Sequence, residues 1–444
     1  MKPSSRPGAA PWLVLSACVI VALGVWRWAD TILAPANAAT VLAAGRPIGN
    51  NSDLYPRWLG ARELLLHGRD PYSVEVTREI QAGFYGRPLD PKNPADPVAQ
   101  EAFVYPIYVV FLIAPTIHLP FGTAAEIFRW LLLSAIAFSV PLWMYVAGLR
   151  LHRVVLFSSI LLAVSSYPAV EEYFQQNLAA LVLLFLAAAA AAAVRNWLVL
   201  SGFLLALATA KPDTTGLVVL WFLLWAAAKS KERARLVLSF FGSMAALVVA
   251  AEAIAPHWIG RFLAAVWNYR NYGTDPSILG ALLPRWLAMI ATVGLAGGFL
   301  AVCWRFRQAP ANSESFGWPL AWAAAVTLVA IPKLAAYNQL LLIPALVMLL
   351  RQRKTSTFLS QALAKAAFAC QGWQWLTAVA LAIGSYVISA GRLRSVALLP
   401  LYTLLALPAL VLLAMAAEVF SRPSLQPSDG TYRDSPADKS VIPS

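Results

Sequence analysis

The sequence predicts an all-α polytopic membrane protein, and three observations carry that reading. Of the 444 residues 60% are hydrophobic and only 12% charged, where soluble domains carry about 25% charged residues. Apolar stretches approaching the roughly 20 residues that span a bilayer recur along the whole chain. Runs such as 178–194 are apolar on every side, whereas a barrel strand would alternate apolar and polar residues.

Taken in order, residues 1–11 are short and basic. The apolar run behind them continues through Trp26-Arg27-Trp28 without a small-residue cleavage site. It reads as an uncleaved first span with a cytoplasmic N-terminus rather than a signal peptide. Candidate spans cover 12–34, 103–119, 124–149, 154–169, 177–194, 197–210, 214–228, 236–255, 282–303, 317–334, 338–350, 372–389 and 396–418. The expectation is a membrane domain over residues 1–420 with about 11–13 transmembrane helices, followed by a polar, disordered cytoplasmic tail over 421–444.

Between the first two spans lies the largest hydrophilic segment, an outer loop over 35–102. It should hold an amphipathic helix over 54–66, with Asp53 as N-cap and Gly68 as C-terminal stop. A second helix is expected over 74–84, then an irregular stretch over 86–97. The basic connections at 150–153, 229–235, 305–307 and 351–354 should face the cytoplasm, which leaves Asp53, Lys211 and Tyr337 outside and Lys231 and Arg353 inside. Strict alternation of all the segments puts 150–153 on the wrong side. One short piece must therefore be re-entrant, either 103–119 or the pair 197–210/214–228, broken at Lys211-Pro212.

The net charge of +13, from 34 basic against 21 acidic residues, points to anionic headgroups and phosphates as partners of a membrane chain, not to nucleic acid. Cys18, Cys303 and Cys370 lie in apolar stretches without metal-ligand spacing, and the four His are scattered. Neither a metal nor a cofactor is expected. Without a soluble α/β domain, no nucleotide-sugar fold is expected either.

The polar residues at the mouths of the spans carry the chemistry. Asp53 lies at the head of a loop helix close to the membrane surface, and a carboxylate there can cap the helix or act as a base. Arg57 and Arg62 on the same helix suit lipid phosphate, or simply a solvated face. Asp70-Pro71-Tyr72 has the form of a turn. Glu172, Gln176 and Asn177 lie at the mouth of a later span, where ionisable and amide groups are functional by default. Glu172 is the reserve candidate for the base. Lys211 stands at a broken helix, suited to a phosphate oxygen. Asn268 and Arg270, in the strip Trp267-Asn268-Tyr269-Arg270-Asn271-Tyr272, suit either a sugar platform or an interfacial aromatic belt. Lys333, Tyr337 and Asn338 pose the same alternatives at another helix mouth.

An ordered set of motifs resembles glycosyltransferase family 87. The set runs Asp53-x-Tyr55, Ala61-Arg62-x-Leu64-Leu65, Gly68-x-Asp70-Pro71-Tyr72, Phe103-Val104-Tyr105-Pro106, Ala114-Pro115, Leu119-Pro120, Gln176-Asn177-Leu178, Lys211-Pro212 and Tyr337-Asn338-Gln339-Leu340-Leu341. Phe174 stands where family members usually carry Gly before the Gln-x-Asn motif. The resemblance implies the GT-C membrane fold, with Asp53 as catalytic residue and Tyr55 among the substrate-binding ones. It also implies a polyprenyl-phosphate-linked sugar, expected to be mannose, as donor. The sugar would pass, with inversion, to a hydroxyl of a lipid-linked or cell-envelope glycan. The setting would be the inner (plasma) membrane, with the active site on its outer face. The rival is a transporter or flippase of lipid-linked sugars, which would show internal repeats and midplane ionisable residues. A glycan ligase would place its key residues in a late outer loop.

Overall fold

The computed structural model describes residues 9–43, 50–90, 92–93, 96–97, 100–150, 152–272, 276–331, 335–351 and 356–421. Lys333, Arg353 and residues 422–444 lie outside these, as does the side chain of Arg270. Every regular element among the described residues is helical.

The chain opens on α1 (Ala9–Trp28), a π turn (Ala29–Leu33) and α2 (Ala34–Ala43). Together they form one apolar rod of 33 residues over Pro11–Ala43. Trp28 is fully buried in it, and its indole donates to the Ala397 carbonyl (3.2 Å).

The first loop folds as two helices. α3 (Leu54–His67) stops at Gly68, whose left-handed backbone (φ 64°) an L side chain rarely adopts. α4 (Val74–Tyr85) is capped by Ser73, whose Oγ accepts from the Val76 amide (3.2 Å). Arg69 ties the two together through Glu63 (2.8 Å) and Glu79 (2.6 Å). Both helices end one residue beyond their predicted limits. The cap expected of Asp53 is not made. Its backbone is already helical (φ −61°, ψ −18°) and its side chain bonds no helix amide, because side-chain capping requires a non-helical backbone at that position. Ser52 Oγ accepts the Leu54 amide instead (3.2 Å).

The topology puzzle is decided at the next segment. A 3-10 turn (Ile107–Val109), α5 (Val110–Ile113) and a second 3-10 turn (Ala114–Thr116) form a short apolar piece. The Arg57 guanidinium donates to the Tyr105 hydroxyl at its start, and the Trp58 indole donates to the Thr116 carbonyl at its end (3.2 Å). Arg57 and Trp58 are neighbours, so both ends of the piece lie at one level and it does not cross. Gly60 permits this docking, since a Cβ there would stand 2.4 Å from the Phe103 ring.

α6 (Phe121–Val146) then runs away from α3, with Phe121 packed on Tyr55 and Trp58. α7 (Arg153–Val164) and α8 (Tyr167–Gln175) return as a pair bent by 54°. Three shorter apolar legs follow: α9 (Ala179–Val194) leads away, α10 (Leu198–Ala208) back, and α11 (Pro212–Ala227) away again. The alanine run in α9 is buried, as small residues let membrane helices approach closely. α12 (Ser230–Ile254) leads to a second polar connection holding α13 (Trp258–Tyr272) and α14 (Ile278–Leu282). α15 (Arg285–Phe306) and α16 (Glu314–Ala330) follow. A 3-10 stretch (Ala336–Leu342) feeds α17 (Ile343–Leu350), and α18 (Phe358–Gly384), α19 (Ala390–Arg394) and α20 (Ala406–Ser421) complete the bundle.

Six helices meet the length and hydropathy of a full crossing, or seven if the bent α7–α8 pair is one span. The chain is therefore a multi-pass membrane protein. Reaching the predicted 11–13 requires the shorter legs α9, α10, α11 and 336–350, which are apolar but fall below full-crossing length.

The basic connections gather at one end. Arg233 donates to the carbonyls of Trp225 (2.5 Å), Arg307 (3.1 Å) and Ala309 (2.9 Å). Arg351 pairs with Glu314 (3.0 Å) and donates to the Ala147 carbonyl. Asp53, Lys211 and Tyr337 meet at the other end.

Candidate functional site

Five separate segments converge beneath the first loop. Asp53 stands at the head of α3. Its carboxylate, free of capping duty, accepts from Asn177 Nδ2 (2.6 Å) across 124 residues of sequence. Tyr337 lies near the same carboxylate, within range of its charge. One turn along α3, Arg57 folds back to the Asp53 carbonyl and reaches the Tyr105 hydroxyl, with its guanidinium 4.0 Å from the centre of the Tyr105 ring.

Behind this front the support is buried. Asn177 Oδ1 accepts the Ala179 amide (3.2 Å) and Glu172 Oε1 the Ala180 amide (3.1 Å). Both satisfy donors that the first turn of α9 leaves open. Gln176 takes a left-handed backbone (φ 44°) at the end of α8. Its Nε2 donates to the carbonyls of Tyr173 (2.6 Å) and Phe174 (2.7 Å), so its amide closes the turn between α8 and α9. Lys211, at the break between α10 and α11, donates to Asn338 Oδ1 and lies 4.7 Å from the centre of the Tyr337 ring. The buried Glu172 and Lys211 feel each other's charge, with Asp53 and Arg57 also in range, while the larger countercharge of Lys211 is the exposed Asp213.

The electrostatics have two features. Arg57, Glu172, Gln176, Asn177, Lys211 and Asn338 are buried, whereas Asp53, Tyr105 and Tyr337 are only half-buried. The acid and the two phenols thus form an accessible front on a buried polar base. In addition, Glu172 Oε2, Gln176 Oε1 and Arg57 Nε are buried without a hydrogen-bond partner. Each such atom costs on the order of 1–3 kcal/mol, and three in one cluster mark a place built for something other than stability.

Other predicted residues lie elsewhere. Tyr55 is packed between Trp58 and Phe121, and burial holds its phenol above its ordinary range. Arg62 stacks on Trp58 (5.3 Å). Asn268 borders a different cleft, beside α4. Asp70 makes the expected turn, accepting from the Tyr72 amide (3.1 Å), and also binds Arg261 of α13 (2.6 Å). Burial, reinforced by the Asp70 charge, pushes the Tyr72 phenol far above its ordinary range. It therefore stays protonated and donates to the Tyr105 carbonyl.

Tyr105 and Arg261 were not singled out from sequence. Tyr105 had a signal, its place in the Phe103-Val104-Tyr105-Pro106 motif. Arg261 had none, because its partner is 191 residues away. No group of three or more His, Cys, Asp or Glu side chains with metal-holding geometry occurs among the described residues.

The arrangement offers a half-buried carboxylate, a buried cation two segments away and a rim of phenols and amides. That set can take a proton from a hydroxyl, meet a phosphate and grip a polyol. Comparison with known proteins gives one finding. No curated protein matches the chain, and neither does any solved structure. A sequence model of glycosyltransferase family 87, in contrast, matches residues 103–332. That is just over half of the chain. It includes Tyr105, Glu172, Gln176, Asn177 and Lys211, with Asp53 before it and Tyr337 after it. The chain belongs to glycosyltransferase family 87, and it is a membrane glycosyltransferase of all-α architecture.

Proposed function

We propose that the protein transfers a sugar, expected to be mannose, from a polyprenyl-phosphate carrier to a hydroxyl of a lipid-linked or cell-envelope glycan, on the outer face of the plasma membrane. The acceptor oxygen attacks the anomeric carbon as the bond from that carbon to the phosphate oxygen breaks. The phosphate leaves with the electron pair, and the acceptor proton passes to Asp53. A single displacement inverts the anomeric centre, so a β-linked donor gives an α-linked product.

One observation carries this reading. Asp53 sits where a helix cap is expected, caps nothing, and is held half-buried by Asn177. General-base catalysis contributes about 10²–10⁴-fold when the base reaches the proton it takes. Lys211 and Arg57 are the cations placed to meet the phosphate, since buried basic side chains bind phosphate oxygens strongly. A lipid phosphate is a good leaving group, so one carboxylate suffices. Glu172, the reserve base, is engaged at the start of α9 and adds negative charge near Lys211.

The test is an in vitro assay of the purified protein with labelled polyprenyl-phosphate-mannose and glycan acceptors. Asp53→Asn keeps the size and the contact to Asn177 but cannot accept the proton. Turnover should fall at least about 100-fold while donor binding and melting temperature stay near wild type. Near-normal turnover in a folded Asp53→Asn protein would remove Asp53 as the base. Transfer of intact lipid-sugar across vesicles without a new glycosidic bond would overturn the reading altogether.

A further inference from the structure

A second polar hollow lies beside the Asp53 cluster and is not part of it. The cleft, about 290 Å³, is bounded by α4 on one side and α13 on the other. That volume lies near the lower end for small-molecule sites, roughly 300 Å³. Its polar lining includes Thr77, Arg78, Gln81, Gln100, Asn268 and Tyr269, and the rings of Tyr72 and Phe103 form its apolar wall. Among the described residues no carboxylate lines it. Gln81 is fixed by accepting the Leu89 amide (3.0 Å). The wall is shared with the catalytic side: Tyr72 meets Phe103 edge-on (5.4 Å) and donates to the Tyr105 carbonyl, and the Tyr105 hydroxyl accepts from Arg57.

The other face of α13 says where the cleft lies. Ile259, Leu263, Val266 and Trp267 recur at helical spacing and are exposed (46%, 59%, 40% and 65%). They form an apolar stripe pointing away from the protein. α13 sits between two membrane-crossing helices, α12 and α15. A stripe of this kind, ending in Trp, belongs in the headgroup layer. Arg261 on the inner side clamps α13 to Asp70 of the first loop (2.6 Å). The cleft is therefore held at the level of the lipid headgroups.

We propose that this cleft is a saccharide subsite, holding the sugar of a lipid-anchored acceptor glycan next to the one that receives the transfer. The inference rests on the proposed glycosyl transfer and adds to it the length and anchorage of the acceptor. Amides both donate and accept, as the hydroxyls of a sugar require, and ring faces cover the C–H face of a pyranose. Among the described residues, a single arginine without neighbouring lysines is too little for a diphosphate, and this many polar side chains are too many for an acyl chain.

The experiment uses the full-length protein in detergent and octyl glycosides carrying one, two or three mannose units. With polyprenyl-phosphate-mannose as donor, the wild type should show a KM at least about tenfold lower for the two- and three-sugar acceptors than for the one-sugar acceptor. Asn268→Ala and Arg78→Ala should erase that preference, with donor KM and one-sugar turnover unchanged. The trisaccharide glycoside is also titrated without donor, by intrinsic fluorescence. Saccharide binding lost in Asn268→Ala, with no transfer by wild type to any acceptor, would overturn the proposed function and leave the cleft as a saccharide site. Equal affinity of wild type for all three acceptors, variants that affect the three alike, or a raised donor KM would overturn the inference itself.

Discussion

The two ends of α11 bury one cation each and treat it in opposite ways. At one end Arg233, 5% exposed, is met by three backbone carbonyls and stacks 3.7 Å from the centre of the Trp225 ring. At the other, about 24 Å away for a 16-residue helix, Lys211 is 3% exposed and is met by one side-chain amide and one ring. Around Arg233 the acceptors are backbone groups that close the gap between α11, α12 and the turn after α15. Around Lys211 they are an amide and a ring of the 336–342 stretch, and three polar atoms of the same cluster are left unpaired. A buried charge that holds a fold is satisfied by what the fold supplies. A buried charge kept for a ligand carries spare bonding capacity.

The strongest way to break this comparison is Lys211→Met. It takes from the buried Glu172 the cation that acts on it most strongly, and leaving a buried carboxylate without a countercharge is destabilising. The expected outcome is a marked drop in melting temperature in detergent together with lost turnover. Adding Glu172→Gln should restore most of the stability, since Gln still accepts the Ala180 amide, but not the turnover. A double variant that regains activity would make Lys211 structural.

Arg233→Met should behave in reverse. Three carbonyls lose a charged donor, each such bond being worth about 1.5–3 kcal/mol at most, and the melting temperature should fall clearly. Turnover per folded molecule should remain at the wild-type level, because Arg233 lies at the far end from Asp53. A selective loss of kcat in a fully folded Arg233→Met protein would erase the distinction between the two ends.

Asn177→Ala sharpens the comparison within the site. Asn177 holds the Asp53 carboxylate, so its loss should lower kcat about tenfold, or about 1.4 kcal/mol, with donor KM little changed. Equal losses in kcat and donor binding would place Asn177 on the donor instead. The smallest effect is expected for Asp70→Asn. Its ion pair with Arg261 is partly exposed, and such pairs are worth about 0–1 kcal/mol. Melting temperature should barely move, and the two- and three-sugar acceptors should lose affinity more than the one-sugar acceptor as α13 loosens.

The sequence by itself determined the architecture. Apolar runs of membrane length leave the backbone no partners but its own, which dictates helices. Gly68 made the end of α3 legible, and both loop helices were expected to within a residue, because helix stops are local signals. The ordered motifs also named the family and most of the residues that meet, since Asp53, Asn177, Lys211 and Asn338 each stand at a break between helices. Tertiary structure alone decided three things. It freed Asp53 from its helix, because Asn177, 124 residues away, takes its carboxylate. It made 103–119 the re-entrant piece, because Arg57 and Trp58 hold both of its ends on one turn of α3. It packed Tyr55 between Trp58 and Phe121, set the Gln176 amide to close the turn between α8 and α9, and brought Tyr105 to Arg57 and Arg261 to Asp70. Local propensity and hydropathy extend over a few turns of chain, whereas the partner of a buried polar group is chosen by whichever segment packs against it.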